Sequence, residues 1–264
     1  MKKYFCVSDV HSFLTPLLEA LNEKGFDKDN PDHILVVLGD LFDRGDETVE
    51  LYNFVRGLPD DRFIYIRGNH EDLLLQCFYS IEDNETLGYH HISNGTVKTI
   101  MAFCGIEYRD NYVTRFSYDP YYPLRGNALD KLPEVLEYIN KKCVDYVEIG
   151  DFILVHGWIP YKKYPWGFDE SWRSGDWYQA RWENGMDAWK HGIVERNKTI
   201  VCGHWHCSWG WSHIRQERQE FPQKNKKDWL KSFEPFVDDG IIAIDACTAY
   251  SGKVNCIVIE VEEE

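Results

Sequence analysis

The sequence predicts a mixed α/β protein in which two β-sheets pack face to face and are flanked by helices. Three observations lead to this architecture. Short apolar runs at residues 4–8, 34–38, 63–66, 152–155 and 199–202 end abruptly in polar residues, and runs of this length bounded by turn residues read as strands buried on both faces. Between the first three lie helical patterns, so the sheet they form is expected to be largely parallel. Near the C-terminus, the strand-like runs 240–246 and 254–261 are separated by 248–253, which reads as a hairpin and would add antiparallel strands.

The elements follow in order. Residues 14–24 place Leu17, Leu18 and Leu21 on one helical stripe, and residues 48–55 do the same with Val49, Leu51, Tyr52 and Val55. The stretch from about 80 to 143 mixes helix and loop, with a helix predicted at 132–142. From 158 to 198 the chain is rich in Trp and Tyr, among them Trp158, Tyr161, Trp172, Trp177 and Trp182. Such a segment is expected to cover one edge of a sheet, its rings forming either a local core or a wall for a substrate. The basic stretch 223–227 reads as a solvated loop. The expectation is one domain over 1–264, with a helical insertion at about 80–145 and an aromatic-rich insertion at about 158–198.

Composition narrows the function. A chain of 264 residues with 44% hydrophobic and 15% aromatic content folds rather than staying disordered. Its net charge of -15 argues against a broad nucleic-acid surface, which needs clustered Lys and Arg. No window approaches the roughly 20 apolar residues of a membrane span, and Asp9 and His11 interrupt the first apolar run too early for a secretory signal. A cytoplasmic protein without a membrane partner is therefore expected. Eight cysteines sit largely inside apolar runs with no C-x-x-C pair, the pattern of buried free thiols.

Five polar clusters each fall just after a predicted strand, and in open α/β sheets ligands gather at the carboxyl ends of strands. Asp9 and His11 are two apart on an extended chain and so point the same way, able to share a metal. Taken alone, such a pair is usually a turn. The second cluster is Gly39-Asp40-Leu41-Phe42-Asp43-Arg44-Gly45, where a carboxylate can bridge two cations and Arg44 offers a planar fork to phosphate oxygens. Next comes Arg67-Gly68-Asn69-His70-Glu71, in which Asn69 is either a metal ligand or a helix N-cap and His70 can work as an acid at neutral pH. His156 and the pair His204 and His206 complete the set. A lone histidine at a strand end is more often structural, but three in this company point to metal.

The ordered motifs D-x-H, G-D-x-x-D-R-G, G-N-H-E, H-G and G-H-x-H resemble those of the calcineurin-like metallophosphoesterase superfamily. G-D-x-x-D-R-G and R-G-N-H-E are similar to its phosphoprotein phosphatase branch, which includes Ser/Thr phosphatases and symmetrical diadenosine tetraphosphatases. The resemblance implies a metallophosphoesterase fold and two divalent metal ions, Mn, Fe or Zn with Mn foremost. It implies a first metal on Asp9, His11 and Asp40, and a second on Asp40, Asn69, His156 and His204. His206 is placed on the first metal by analogy with many members, although protein phosphatases often lack this residue. The opening Ser8-Asp9-Val10-His11-Ser12 departs from the Gly-Asp-x-His-Gly of that branch.

The expected chemistry is hydrolysis of phosphate monoesters by direct attack of a metal-bridging hydroxide. Catalytic roles fall to His70 as acid, Asp43 as its orienter and Arg44 as phosphate clamp. Arg181 is the candidate for a second phosphate-binding arginine, with Arg173 and Arg196 as competitors. The substrate is expected to be a phosphorylated protein, the enzyme then being a serine/threonine protein phosphatase, or a small phosphorylated or dinucleotide molecule, as for a symmetrical diadenosine tetraphosphatase. A non-catalytic metal-binding module of the same fold is the third reading, disfavoured because every expected position is filled.

Overall fold

The strand Lys2–Val7 (β1) alternates its side chains across two apolar environments. Phe5 and Val7 point into a core shared with helices, while Cys6 points into a second core between sheets. The same two-residue period governs His33–Leu38 (β2), where Leu35 and Val37 face the helices and Ile34, Val36 and Leu38 face inward. A strand that is apolar on both faces needs a layer on each side, and the computed structural model, which describes residues 1–108 and 122–262, supplies both.

Between β1 and β2 runs the helix Leu14–Glu23 (α1), and Thr48–Arg56 (α2) links β2 to Phe63–Ile66 (β3). The helices Asn69–Glu82 (α3), Tyr89–Ser93 (α4), Thr96–Cys104 (α5) and Tyr122–Lys142 (α6) follow. Cys143–Val144 (β4) closes the first sheet. Val147–Ile149 (β5) and Phe152–Leu154 (β6) open the second, and a small hairpin, Lys162–Lys163 (β7) with Trp166–Gly167 (β8), stands apart. Then come Trp177–Ala180 (α7), Gly185–Lys190 (α8), Thr199–Cys202 (β9), Cys207–His213 (α9), Phe236–Asp238 (β10), Ile241–Ala243 (β11), Thr248–Ser251 (α10) and Cys256–Val261 (β12).

The first sheet has the order β12-β1-β2-β3-β4 and the second β10-β11-β9-β6-β5. Both are mixed. β1, β2, β3 and β4 run parallel with β12 antiparallel at the edge, and β6, β9 and β11 run parallel between antiparallel β5 and β10. Ile34, Val36, Leu38 and Ile66 from one sheet meet Ile149, Leu154, Val201 and Ile244 from the other, so the sheets pack face to face as expected. Helices α1, α2, α3, α5 and α6 cover the outer face of the first sheet. The aromatic segment covers the second, burying Trp158, Trp172 and Trp177 against Ile153, Ile200 and Cys202. Those rings act as a core layer.

The predicted C-terminal hairpin is not formed. β11 and β12 belong to different sheets: β11 lies beside β9, β12 pairs with β1, and the intervening residues fold as α10. The hairpin partner of β11 is β10, joined through Asp239-Gly240 with Gly240 at φ 80°. That is the D-G signal of a tight two-residue hairpin, which the longer loop at 248–253 lacks. All eight cysteines are free thiols. Among the described residues no helix is long and apolar enough to cross a membrane.

Candidate metal centre

The parallel strands β1, β2, β6 and β9 each deliver a polar side chain two residues past their last strand position, at Asp9, Asp40, His156 and His204. Asn69 follows β3 in the first turn of α3. The strand ends of both sheets point the same way, so these residues converge although they lie far apart in the chain. Two groups have ligand atoms within 4.8 Å of one another: His11, Asp40 and His70, and Asp40, His156 and His204. Asp40 is common to both.

Backbone geometry shows what this convergence demands. Asp9, His11, Asp40, Asp43, Arg44 and His204 all adopt positive φ, between 51° and 77°, a region that non-glycine residues rarely occupy and that costs about 1–3 kcal/mol each. Close packing holds them there. A Cβ on Gly39, itself at φ 81°, would lie 2.5 Å from His156 Nδ1 and 2.6 Å from Gly68 Cα, so only glycine lets the three loops touch.

Glu71 ties two of these loops together. Its carboxylate accepts from the N–H of Asp40 (3.0 Å), Leu41 (3.0 Å) and Gly68 (2.7 Å), and from the Tyr65 hydroxyl (2.6 Å). Gly68 is thereby the residue preceding α3, and Asn69 is not an N-cap. Its amide turns instead toward His156, with Oδ1 2.9 Å from Nε2.

The donor set fits cations. His156 donates Nδ1–H to the Leu38 carbonyl at 2.6 Å, and His11 donates Nδ1–H to the Phe42 carbonyl at 2.9 Å. Each therefore presents an Nε2 lone pair, the arrangement by which backbone carbonyls orient metal-binding imidazoles. His156 Nε2 then faces Asp40 Oδ1 at 3.3 Å, and His11 Nε2 faces Asp40 Oδ2 at 3.8 Å and Asp9 Oδ1 at 3.9 Å. Buried lone pairs pointed at one another need positive charge between them.

Electrostatics agree. Burial, with Asp40 adding like charge, raises Asp9 to about 6 against the pull of His156. Burial and the Glu71 carboxylate raise Asp40 to about 7 against His70. Burial, with Arg44 and His70 nearby, drives His11 well below its ordinary value, and burial with His156 does the same to His204. These are buried acids short of cations beside imidazoles kept neutral, and divalent ions relieve both conditions. The ligand set of nitrogen and oxygen suits Mn, Fe or Zn.

Beside this cluster, His70 donates Nδ1–H to Asp43 Oδ2 at 2.7 Å, and its Nε2 lies 3.3 Å from Arg44 Nη2. Burial alone would lower the His70 pKa, but Asp40 and Asp43 outweigh it and hold it at about 9. The imidazole is therefore charged in the metal-free protein.

Two expected members have their side chains engaged by other partners. His206 meets Ser208 Oγ at 2.7 Å, faces Glu220 at 3.6 Å and packs against the Phe221 ring, outside both ligand groups. Arg181 is buried with its guanidinium committed to Asp72 (2.9 Å) and to Asp145. Its competitor Arg173 is taken by Glu148 and Glu195.

Several further residues shape the site. Glu71 stands at the capping-box position of α3, but its bonds to Asp40 and Leu41, like those of Thr96 and Thr99 to Asp43, are tertiary contacts that no spacing reveals. Asp245 was legible, because it stands two residues past β11 just as Asp9 stands past β1. It is buried, and burial followed by the Asp9 charge pushes it up to about 8.

Comparison with known proteins gives this geometry a family. The symmetrical bis(5'-nucleosyl)-tetraphosphatase of Buchnera aphidicola subsp. Baizongia pistaciae is 31% identical over 85 residues, which are 32% of this chain and 29% of that protein. The chain thus spans under a third of the length of the curated relative it matches. Among solved structures, a cold-active protein-tyrosine phosphatase from the psychrophile Shewanella sp. aligns at TM-score 0.49 and 17% identity, over 98% of this chain and 76% of the other. A protein serine/threonine phosphatase from Saccharomyces cerevisiae aligns at 0.46 and 15%, over 100% and 81%. A putative diadenosine tetraphosphatase aligns at 0.45 and 14%, over 98% and 89%. The model of the calcineurin-like phosphoesterase family matches residues 2–242, a span that runs through every loop of the cluster. This chain belongs to that family of metal-dependent hydrolases.

Proposed function

We propose that this phosphoesterase cleaves phosphate monoesters with alkoxide leaving groups, as a phosphatase of phosphoserine or phosphothreonine. One observation carries the reading: the facing pair Arg44 Nη2 and His70 Nε2, 3.3 Å apart. Arg44 is always a donor, and His70 Nε2 becomes one when the ring is charged. With the ring neutral and Nδ1–H on Asp43, Nε2 accepts from Arg44 Nη2; with the ring charged, both groups are donors and can serve one acceptor placed between them. A phosphoryl oxygen together with the ester oxygen fits that demand.

Asp9, His11 and Asp40 would hold one divalent ion and Asp40, Asn69, His156 and His204 a second. When bound, such ions supply Lewis acidity toward the phosphoryl group and lower the pKa of water. The chain does the rest. Arg44 binds the phosphate oxygens through its planar fork and offsets the charge that grows on them. Asp43 holds His70 by Nδ1, so that the Nε2 proton faces the departing oxygen and passes to it as the P–O bond breaks. Alkoxides leave poorly without that proton, whereas a nucleotide leaving from an anhydride departs more readily. A built acid is therefore of greatest use on a monoester.

The match to the Buchnera enzyme favours a second reading, symmetrical cleavage of diadenosine tetraphosphate by the same site. Initial rates on a phosphoserine peptide and on diadenosine tetraphosphate separate the two. A kcat/KM at least tenfold higher on the peptide is expected. The reverse preference would assign the anhydride.

A further inference from the structure

Asp43 is fully buried, and both of its carboxylate oxygens are engaged by hydroxyls from α5. Thr96 Oγ1 donates to Oδ2 at 2.9 Å, the oxygen that also receives His70 Nδ1–H, and Thr99 Oγ1 donates to Oδ1 at 2.7 Å. Thr99 Oγ1 also accepts the Asp43 backbone N–H at 3.0 Å, closing a ring from residue 43 to 99 and back. The same helical turn seats the next residue. Lys98 Nζ donates to the Arg44 carbonyl at 2.8 Å and pairs with Asp46 at 2.6 Å. Gly95 lies so close that a Cβ there would stand 2.5 Å from Arg44 N. Asp43 and Arg44 have φ of 77° and 65°, conformations that persist only where the surroundings impose them.

We propose that the first turn of α5 is a positioning device for the acid–arginine pair. Thr96 and Thr99 fix the rotation of the Asp43 carboxylate, which fixes the His70 ring, while Gly95 and Lys98 fix the backbone that carries Arg44. None of these residues touches substrate. They act through Asp43 and Arg44, and the proposal rests on the reading of His70 as the acid. The physical basis is preorganisation: a carboxylate free to rotate would let the imidazole swing away from the leaving oxygen, and small misplacements of catalytic groups are costly in rate.

Thr99→Val removes the hydroxyl at nearly constant shape. The metal-loaded protein should lose about tenfold in kcat on a phosphoserine peptide and less than about twofold on p-nitrophenyl phosphate, whose leaving group needs no proton. Thr99→Ser should restore the peptide rate. The low-field proton resonance of His70 Nδ1–H, identified by its disappearance in His70→Asn, should shift or vanish in Thr99→Val and return in Thr99→Ser. If Thr99→Val does not fold, Thr96→Val carries the same expectation through Oδ2. Equal losses on both substrates, or none on either, would overturn the proposal. His70→Asn separates the two levels of inference: if it shows no leaving-group selectivity, the acid reading falls and takes the positioning role with it. If His70→Asn is selective and the threonine variants are not, the positioning role alone falls.

Discussion

At the scale of single residues, charge decides the behaviour of the site. Asp9, Asp40 and Asp245 are buried acids whose pKa values lie at about 6, 7 and 8, and His70 lies at about 9. An acid with a raised pKa favours folding while protonated and loses that advantage as pH climbs through the folded value. A histidine with a raised pKa does the same through its own range. His11 and His204 are lowered and act oppositely, but only below their unfolded value near 6.5. The Asp9 contribution is already lost below pH 6.5; from about pH 6.5 to 9, metal-free protein is expected to lose stability through Asp40, Asp245 and His70, on the order of a few kcal/mol. Mn2+ should flatten the trend, because metal replaces the protons. Thermal melts across that range with and without metal test this, and a rise in metal-free stability with pH would contradict it. His70→Asn should cost about a hundredfold in kcat on a phosphoserine peptide and little on p-nitrophenyl phosphate; equal rates on the peptide would remove His70 from the chemistry. At this scale the sequence was most informative about Asp9, Asp40, His156 and His204, because a fixed offset from a strand end constrains position. It said least about His206 and Arg181, whose side-chain directions depend on Glu220, Asp72 and Asp145 from remote parts of the chain.

At the scale of elements, loops that look independent in the chain are fastened by a few buried bonds. Glu71 receives four donors from the loops after β2 and β3 and from Tyr65. Each carboxylate oxygen accepts two of these donors, so Glu71→Gln turns an amide NH2 toward two of them and is expected to cost about 2–3 kcal/mol and to weaken metal retention. Tyr65→Phe should cost about 1–2 kcal/mol with a smaller effect on metal. Denaturant melts and metal analysis of both variants check this order, and a silent Glu71→Gln would mean the loops hold without it. Sequence periodicity predicted β1, β2, β3, β6 and β9 because each is an apolar run bounded by polar residues. It misplaced β11 and β12, since two adjacent apolar runs read alike whether they pair or enter different sheets. The Asp239-Gly240 turn, which carries the real hairpin, lies beside the very short strand β10.

At the scale of the molecule, two sheets contribute different candidate ligands to one cluster, so their relative placement is part of the site. Asp9, Asp40 and Asn69 come from the first sheet, and His156 and His204 from the second. The pairing of Arg181 with Asp72 and Asp145 joins α3 to the end of α7 across the same boundary. Arg181→Met leaves Asp72 with Arg67 as its remaining ion-pair partner and should cost about 2–3 kcal/mol, with KM for phosphate esters changed by less than about twofold. A tenfold rise in KM at unchanged stability would return Arg181 to the phosphate. The face-to-face architecture was legible because β1 and β2 are apolar on both faces; the crossing of the chain between sheets was not, because it is set by contacts such as Thr248 Oγ1 on the Asp9 carbonyl. The central claim is that this converged cluster is a dinuclear metal centre on which hydrolysis depends. Metal analysis of purified protein, paired with turnover of p-nitrophenyl phosphate before chelation, after it and after Mn2+ is restored, tests it most directly. The expected result is about two ions per chain, loss of activity on chelation, recovery with Mn2+, and loss of both metal and activity in Asp40→Ala. Full turnover by the chelated protein, or full metal content and activity in Asp40→Ala, would contradict it.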